Sequence, residues 1–281
     1  MHLPRLQLVE LEDLPGFPAI LRDLATDYLE WAQHIFRTHH AMVPLIDEAL
    51  QESGTDRIVD LCSGGGGPIR PLVRCLREAR PSLHATLTDR FPNRAAFQRA
   101  ARDGVCCWHQ PVDAREVPGS LPGLRTLFNA FHHFAPPDAV AVLRAAAEAG
   151  QPIAVFEVPE RSVRSLLRML LLTLPVVLAA APFVRPVRLS RFLWTWLVPA
   201  VPLTIWWDGL VSQMRAYTPE ELLALGRAAS ESYSWSAAKV PLGTAPANLT
   251  YLIGIPPSGD APRSVAASGA QLGSPGEAES A

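Results

Sequence analysis

The sequence predicts an α/β fold, in which a mainly parallel sheet carries helices on both faces. Between residues 57 and 158, short apolar runs alternate with amphipathic helical segments. The first apolar run, RIVDLCS, ends in a glycine cluster, as strands often do where they turn into a helix. The 281 residues are 48% hydrophobic, which is enough to bury a large core and excludes disorder throughout.

Charge and cysteine content exclude several other classes of protein. The net charge is -2, and no basic run with interleaved aromatics occurs, so an electrostatic nucleic-acid binder is not expected. The cysteines form no CxxC pair and have no histidine at zinc-ligand spacing, so we predict reduced thiols and no metal site: Cys62, Cys75, Cys106 and Cys107. The N-terminus carries acids and prolines where a signal peptide needs a basic start, which predicts a location on the cytoplasmic side.

Residues 1–53 are predicted to form an N-terminal helical cap. In DYLEWAQHIFRTHHAMVPLIDEALQES, apolar side chains recur at helical spacing. Its aromatic and histidine side chains either line a pocket or occupy ordinary positions on amphipathic helices: Trp31, His34, His39 and His40.

Residues 54–160 are predicted to form the core of the sheet. The strands are expected at RIVDLCS, HATLTDR, VCCWHQPVD, RTLFNAFHHF and PIAVFEV, and the helices at PLVRCLREAR, AAFQRAARDG and PPDAVAVLRAAAEAG. Gly104 and Gly150 follow the second and third helices, as glycines commonly do at helix ends. Strands that alternate with helices pair in parallel through right-handed crossovers, and such sheets bind ligands at the carboxyl ends of their strands.

Residues 161–208 have a composition unlike the rest of the chain. No acid occurs between Glu160 and Asp208, and arginines bracket two uncharged runs, MLLLTLPVVLAAAPFV and FLWTWLVPAVPLTIWW. We predict an apolar helical hairpin inserted after the fifth strand.

Three interpretations of this hairpin remain open. Each uncharged run would be ~24 Å long as a helix, which is short against a hydrocarbon core of ~30 Å. Two full crossings would also place Arg185, Arg188 and Arg191 on the far side of the membrane, against the positive-inside rule. We therefore favour a monotopic or re-entrant hairpin, with a lid or dimer interface as the second interpretation and two spanning helices as the last.

Residues 209–256 return to a globular pattern and are predicted to complete the domain. In TPEELLALGRAA, Thr218 is the expected N-cap and Glu221 closes a capping box. ANLTYLIGIP is predicted to be a strand, with YSWSAAKVPL as a possible antiparallel partner. Residues 257–281 lack apolar periodicity and are predicted to be a disordered tail.

The glycine cluster in RIVDLCSGGGGP is the sharpest functional signal. Glycines at a strand-to-helix turn let the backbone approach a ligand closely and present amide groups to it. The dinucleotide pattern G-x-G-x-x-G fits in neither phase, because Ile69 or Arg70 falls at the third glycine position. No G-K-[ST] follows, which excludes a Walker-type phosphate loop.

This segment resembles the first motif of the class I S-adenosylmethionine-dependent methyltransferases. In that family an acid at a strand end precedes a glycine-rich turn. Asp60 matches the acid, while Cys62, Gly64 and Gly66 occupy the three positions usually filled by glycine, so Cys62 departs from the pattern.

The resemblance extends over roughly residues 57–158 and implies a Rossmann-like fold with S-adenosylmethionine as the cofactor. Asp89 in TLTDR matches the acid that binds the ribose hydroxyls, and Asp113 in PVDAR matches the polar residue near the adenine amino group. FNAFHHF looks like the fourth-strand segment of small-molecule methyltransferases, and its Asn129 joins the predicted cofactor-binding set.

Methyl transfer is an in-line displacement, so the protein mainly positions the acceptor and controls its proton. A base is needed where the acceptor must lose a proton, and the catalytic candidates at strand ends are His132, His133 and Glu157. Adjacent residues after a strand point in opposite directions, so we expect at most one histidine to face the donor. Packing roles for the histidines, and a pairing of Glu157 with Arg161, remain open alternatives.

The hairpin follows the fifth strand at the edge where the acceptor is expected. This favours a lipophilic small-molecule or lipid-like acceptor, with a possible membrane-surface contact through residues 161–208. The segment WWDGLVSQMRAYTPEEL supplies candidate acceptor contacts, for which ordinary packing is an equal alternative: Trp207, Asp208, Arg215 and Tyr217. The main rival is a membrane-associated scaffold that keeps the fold without transfer activity, and a second is a nucleotide-dependent oxidoreductase, which the failed glycine spacing disfavours.

Overall fold

The computed structural model describes residues 3–242 and 247–257. The predicted disordered tail, residues 257–281, lies outside the described residues except for Pro257. Within the described ranges the chain forms one mixed sheet covered by helices on both faces.

The sheet has seven strands in the order β3-β2-β1-β4-β5-β7-β6. Strands β1 to β5 pair in parallel, while β7 runs antiparallel to β5 and β6 antiparallel to β7. Their bounds are Arg57–Leu61 for β1, His84–Leu87 for β2, Cys106–Cys107 for β3, Leu124–Phe128 for β4, Ile153–Glu157 for β5, Ser234–Pro241 for β6 and Asn248–Ile255 for β7. The predicted α/β fold class is therefore confirmed, including the antiparallel pair at the end of the chain.

The helices alternate with the parallel strands as the sequence predicts. Their bounds are Ala19–Ile35 for α1, His39–Ser53 for α2, Ile69–Ala79 for α3, Arg94–Arg102 for α4, Pro136–Glu148 for α5, Val163–Ala180 for α6, Leu189–Phe192 for α7, Ala200–Arg215 for α8 and Pro219–Ala229 for α9, with a π-helical turn at Leu193–Leu197. The capping box that Thr218 and Glu221 predict is present at the start of α9.

Two apolar clusters cover the two faces of the sheet. On one face, α2, α3 and α4 contribute buried side chains that include Met42, Leu72 and Phe97. On the other, α5 and α9 contribute Leu143 and Leu222. Because the central strands β4 and β5 are covered on both sides, their residues are almost all buried, as expected for parallel strands.

Two of the predicted strands are shorter than expected. The segment VCCWHQPVD forms only the two-residue strand β3, after which Trp108 and Val112 make single backbone bonds to Leu87 and Asp89. In FNAFHHF, Asn129 adopts a left-handed φ of 51° that ends β4, and a 3-10 turn follows at Phe131–His133.

Residues 3–14 do not extend the helical cap but run across α8 as an extended segment, which we call the N-terminal strap. The amide of Leu6 donates to the carbonyl of Met214, and a short 3-10 turn forms at Leu11–Asp13. Helix α1 begins only after Pro18. Proline is favoured at a helix start and disfavoured in a helix interior, which is consistent with this boundary, although α2 and α6 accommodate Pro44 and Pro175 in their interiors.

The segment 161–208 forms α6 and the first part of α8, and these two long helices pack against each other; α8 continues to Arg215, beyond the predicted end of the hairpin. The indole N–H of Trp206 donates to the carbonyl of Leu170, and that of Trp196 to the carbonyl of Leu178, so the two arms run antiparallel. The hairpin packs on α1 through a third apolar cluster that includes Tyr28. It also carries a buried ion pair, in which Arg191 Nη2 lies 2.6 Å from Asp27 Oδ2.

The outer side of this hairpin exposes many large apolar side chains. They include Leu167, Leu171, Leu172, Phe183, Leu189, Trp196 and Leu197, and the exposed fraction reaches 87% at Leu189. We call this surface the exposed apolar face. Helix α6 is long and apolar enough to cross a membrane by length and composition, with a mean hydropathy of 1.8 and 17% of its residues buried.

Candidate functional site

The glycine turn after β1 contains four residues with left-handed backbone conformations. They are Cys62 at φ 56°, Gly64 at 49°, Gly66 at 97° and Gly67 at 42°. A left-handed conformation is easy for glycine and costs other residues conformational energy. Cys62, the position where the sequence departs from the methyltransferase pattern, is thus one at which glycine would be unstrained.

Space in front of this turn is open. A Cβ atom built on Gly64, Gly66 or Gly67 meets no atom within 4 Å among the described residues. A Cβ on Gly65, by contrast, would lie 2.5 Å from Thr26 Cγ2 of α1. The turn is therefore closed on its α1 side and open where a ligand would approach its glycines.

Asp89 connects the end of β2 to the glycine turn. Its Oδ2 accepts a hydrogen bond from the amide of Gly64 at 2.8 Å, and its Oδ1 accepts one from the amide of Phe91 at 2.7 Å. The structure thus brings together two predicted cofactor-binding residues that lie 25 positions apart in the chain.

Asp60 lies beneath the turn and supports it. The side chain is 2% exposed, and its Oδ1 accepts a hydrogen bond from Thr126 Oγ1 of β4 at 2.9 Å. Burial raises the pKa of Asp60 to about 7, against opposing hydrogen bonds from Ser63 and Thr126. Asp60 therefore acts as a structural link between β1, β4 and the turn.

Of the remaining predicted cofactor-binding residues, Asn129 directly follows β4, whereas Asp113 lies in the loop after β3, which ends at Cys107, and not at a strand end. Asp113 accepts hydrogen bonds from Arg115 Nε and Nη2 at 2.9 and 2.8 Å, and these bonds lower the pKa of Asp113 to about 2. Asn129 Oδ1 accepts a hydrogen bond from the amide of Val158 at 2.8 Å, which links the ends of β4 and β5.

These residues lie at one edge of the sheet because β2, β1 and β4 are neighbours with the same direction. The strand order reverses direction at β1, where β2 lies on one side and β4 on the other, and such switch points form ligand-binding crevices in α/β sheets. The fold is Rossmann-like. Its glycine turn and Asp89 occupy the expected binding edge.

The two adjacent histidines correct a sequence-based expectation. We predicted opposite directions for His132 and His133, but their ring centroids lie 4.4 Å apart. They belong to the 3-10 turn Phe131–His133, where successive side chains are separated by about 120° rather than the 180° of a strand. The two rings therefore reach the same cluster of charged side chains.

His132 pairs with Glu157 in the interior. Nδ1 of His132 lies 2.5 Å from Glu157 Oε2, and Glu157 Oε1 accepts a hydrogen bond from the amide of Phe131 at 2.7 Å. The alternative pairing of Glu157 with Arg161 is wrong, because Arg161 Nη2 lies 2.6 Å from Glu221. The structure thus joins two predicted catalytic residues from different strand ends.

Glu10, an acid on the N-terminal strap, lies at the centre of this cluster and was not among the predicted site residues. Glu10 is 5% exposed, and its Oε1 lies 3.7 Å from His132 Nε2 and 3.2 Å from Arg215 Nη1. Its Oε2 lies 3.6 Å from His133 Nε2. The segment LVELED has neither helical periodicity nor a known motif, and the one signal that could have identified it is its density of acids among apolar residues.

Asp13, also on the strap, forms an ion pair with His133. Its Oδ1 lies 3.3 Å from His133 Nδ1, and its Oδ2 lies 2.8 Å from Arg215 Nη1. Burial opposes ionisation of Asp13, but hydrogen bonds from His133 and Arg215 lower its pKa to about 2. Burial also opposes ionisation of His133 and by itself would lower its pKa. The carboxylates of Asp13 and Glu10 outweigh burial, so the pKa of His133 is raised.

The predicted acceptor contacts hold the N-terminal strap in this structure. Asp208 Oδ1 accepts a hydrogen bond from the amide of Leu11 at 2.6 Å, and burial raises the pKa of Asp208 to about 6. Further hydrogen bonds run from Trp207 Nε1 to the carbonyl of Val9 and from Arg215 Nε to that of Leu8. The guanidinium of Arg5 lies 4.1 Å from the ring centre of Tyr217, whose hydroxyl donates to Phe134 O.

Glu10, His132 and His133 place one ligand atom each within 4.8 Å of one another, which is close enough to hold a metal ion. Arg215 opposes such an ion. Its Nη1 lies 3.2 Å from Glu10 Oε1 and 3.3 Å from His133 Nδ1, so a cation here would face a fixed positive charge.

Comparisons with known proteins find similarity at the level of structure. No protein-family model matches the chain, and no curated protein sequence matches it. Human N-acetylserotonin methyltransferase in complex with SAM is 16% identical, over 90% of this chain and 63% of that one, with a TM-score of 0.49. PigF with SAH is 16% identical over 71% of this chain, with a TM-score of 0.39.

The chain spans half the length of PigF. The plantazolicin methyltransferase BpumL in complex with SAH is covered more fully, at 95% of its length and 84% of this chain, with 10% identity and a TM-score of 0.41.

Proposed function

We propose that the protein is an S-adenosylmethionine-dependent methyltransferase that acts on a lipophilic small-molecule or lipid-like acceptor. The observation that carries the proposal is the open glycine turn at the carboxyl edge of the sheet, with Asp89 bonded to Gly64. When bound, S-adenosylmethionine supplies an electrophilic methyl group. The chain's own residues must then bind it, orient the acceptor and manage the acceptor's proton.

The turn fits such a cofactor in shape and chemistry. The space that side chains would fill at Gly64, Gly66 and Gly67 is free for a ligand. Asp89 uses each carboxylate oxygen for one backbone amide, and each oxygen retains a further lone pair that could accept from a ribose hydroxyl. Asp113 is proposed to lie at the adenine end, while buried Asp60 and bridging Asn129 hold the surrounding strands in place.

His132 is the proposed base, positioned by Glu157. A carboxylate accepts hydrogen bonds, so its contact with Nδ1 places a proton there and leaves the Nε2 lone pair of neutral His132 available. Glu157 is itself fixed by the amide of Phe131. His133 lies beside this ring and is proposed to contribute charge from its pairing with Asp13.

A lipophilic acceptor is supported by the exposed apolar face. Its apolar side chains lie on α6, the loop after it, α7 and the π-helical turn, and many exposed large apolar side chains on one segment are typical of an interaction site. Exposed arginines flank the face, at Arg164 near the start of α6 and Arg185 near its end. Apolar side chains edged by cations suit a membrane surface that contains anionic lipids, so we propose a cytoplasmic-side, membrane-associated enzyme.

The proposed organisation follows from this function. Residues 54–160 and 209–256 would form the catalytic domain, residues 1–53 its cap, and residues 161–208 the membrane-facing insertion.

One observation favours the second candidate, a scaffold that retains the fold without transfer activity. Asp208, Arg215, Trp207 and Tyr217 are all engaged by the N-terminal strap, so an acceptor would have to enter beside the strap or displace it. A scaffold would have no need for this access.

Calorimetric titration of the purified protein with S-adenosylmethionine and S-adenosylhomocysteine, with and without liposomes, tests the proposal. We expect binding in the micromolar range for both. Binding followed by methyl transfer to a component of a lipid extract would support the enzyme, and binding without any turnover would favour the scaffold. Absence of binding in both conditions, or preferential binding of NAD, would overturn the assignment of the site.

A further inference from the structure

The surroundings of His132 contain one group that the proposed function leaves unexplained. Both ring nitrogens of this buried histidine face carboxylates: Glu157 at Nδ1 and Glu10 at Nε2. Glu157 belongs to β5, whereas Glu10 is brought in by the N-terminal strap. All three side chains are at most 6% exposed, so water does little to weaken their interactions.

We propose that Glu10 is a positioning residue of the active centre, which stabilises the charged form of His132 from the side opposite Glu157. This inference rests on the proposed function for its catalytic meaning, but the contact itself is a property of the chain. The strap thereby becomes part of the site and not only a cover over it.

The positions of the protons on His132 explain how Glu10 stabilises its charged form. A neutral imidazole carries one N–H, and the contact with Glu157 places it at Nδ1. The Nε2 lone pair then faces Glu10 Oε1 at 3.7 Å, too far for a direct hydrogen bond. If the acceptor hydroxyl gave its proton to Nε2, the acceptor oxygen would keep the electron pair that forms the new bond to the methyl carbon. The bond between that carbon and the donor sulfur would break, and its electron pair would stay on the departing S-adenosylhomocysteine. The resulting imidazolium then lies between two carboxylates.

Glu10 is held in place by polar contacts from α8. Its Oε1 accepts a hydrogen bond from Ser212 Oγ at 3.0 Å and lies 3.2 Å from Arg215 Nη1. The charged groups next to His132 are therefore Glu157 from β5, Glu10 from the strap and His133 from the same turn. Arg215 contacts Glu10 and His133, Asp13 contacts His133, and Arg5 donates to the backbone carbonyl of His132. Arg215 disfavours a positive charge on His132, and Glu10 Oε1, which lies 3.2 Å from Arg215 Nη1 and 3.7 Å from His132 Nε2, offsets that effect.

Nitrogen NMR on ¹⁵N-histidine-labelled protein tests this role without donor or acceptor. We expect Glu10→Gln to move the titration midpoint of the His132 nitrogens to lower pH by about one unit, a tenfold loss of proton affinity. Glu10→Asp, which keeps the charge, should restore at least half of that shift. Asp13→Asn is the matched control on the same strap, because it contacts His133 and should move the midpoint of His133 much more than that of His132.

Amide exchange at Leu11, which donates to Asp208, reports whether the strap stays docked in each variant. An unchanged His132 midpoint in Glu10→Gln with a docked strap would overturn the proposal, as would an equal shift in Asp13→Asn. If the coupling is found but calorimetry detects no S-adenosylmethionine binding, the inference about Glu10 stands and the proposed function fails. If S-adenosylmethionine binds but Glu10→Gln leaves the His132 midpoint unchanged, the inference about Glu10 fails and the proposed function stands.

Discussion

Gly64 donates its amide hydrogen to Asp89 Oδ2 at 2.8 Å, and this bond joins the turn after β1 to the end of β2. The two residues come from different βα units, and only the parallel pairing of β1 with β2 makes them neighbours. A single carboxylate thus both shapes the glycine turn and faces the space in front of it.

Asp89→Ala is expected to weaken S-adenosylmethionine binding by at least about tenfold, because it removes hydrogen bonds to a charged group worth about 1.5–3 kcal/mol. Asp208→Ala is the control, since Asp208 holds the strap and has no contact with the turn. Calorimetry on both variants makes the comparison. Equal, negligible effects on donor affinity would remove Asp89 from the site.

Cys62→Val is expected to lower stability by about 1–2 kcal/mol, because a β-branched residue tolerates the left-handed φ of 56° poorly. Cys106→Val is the matched control at an exposed strand position, where valine is well accommodated. Urea unfolding of both variants measures the difference. Equal stability of the two would show that the turn relaxes around residue 62.

Asp27→Asn is expected to destabilise the protein by about 3–5 kcal/mol, because it leaves the fully buried guanidinium of Arg191 without its counter-charge. Asp23→Asn, at an exposed position of the same helix, should change the free energy of unfolding by less than about 0.5 kcal/mol. Thermal and urea unfolding provide the measurement. If both variants lost the same free energy of unfolding, or if only Asp23→Asn lost any, the assigned role of the ion pair would be contradicted.

The pH dependence of stability should carry a signature of Asp60. Burial raises its pKa to about 7, so the folded state takes up a proton between about pH 7 and pH 4 that the unfolded state does not. Asp60 therefore makes the protein more stable as pH falls through that window. Asp60→Asn should flatten the plot of unfolding free energy against pH in the same window. Urea unfolding at several pH values measures the slope, and an identical slope in wild type and variant would contradict the raised pKa.

Leu171→Glu should reduce binding to vesicles of phosphatidylcholine with 30% phosphatidylserine by at least about tenfold, because it places a charge within the exposed apolar face. Leu29→Glu is the matched control, since Leu29 is a half-exposed leucine on α1. Vesicle sedimentation measures binding, and light scattering reports the mass in solution. If the wild type is a dimer that binds no vesicles, and Leu171→Glu converts it to a monomer, the exposed apolar face is instead an interface between two copies.

Several elements could be predicted from the sequence because their signals are local. Apolar runs bounded by glycine and proline predict β1, β4 and β5, and Thr218 with Glu221 predicts the start of α9. The glycine turn and the acids Asp60, Asp89 and Asp113 follow from their order along the chain relative to the strands. Each acid is identified relative to its own strand within about ten residues, and the cofactor-binding role of these acids stays a prediction.

The directions of side chains in irregular segments could not be predicted in the same way. We expected His132 and His133 to diverge, because the strand was assumed to continue through Asn129. The left-handed φ at Asn129 ends the strand, and the 3-10 turn brings both rings together. A change of two backbone angles at one residue is enough to reverse such an expectation.

By itself, the sequence determined the alternation of strands and helices, the glycine turn and the uncharged composition of residues 161–208, since periodicity and composition are properties of neighbouring residues. Only the tertiary structure decided that the N-terminal strap crosses α8 and places Glu10 between two histidines and an arginine. It also decided that the predicted acceptor contacts hold this strap. These contacts join residues about 120 to 200 positions apart, and chain folding, which no local pattern records, is what makes them neighbours.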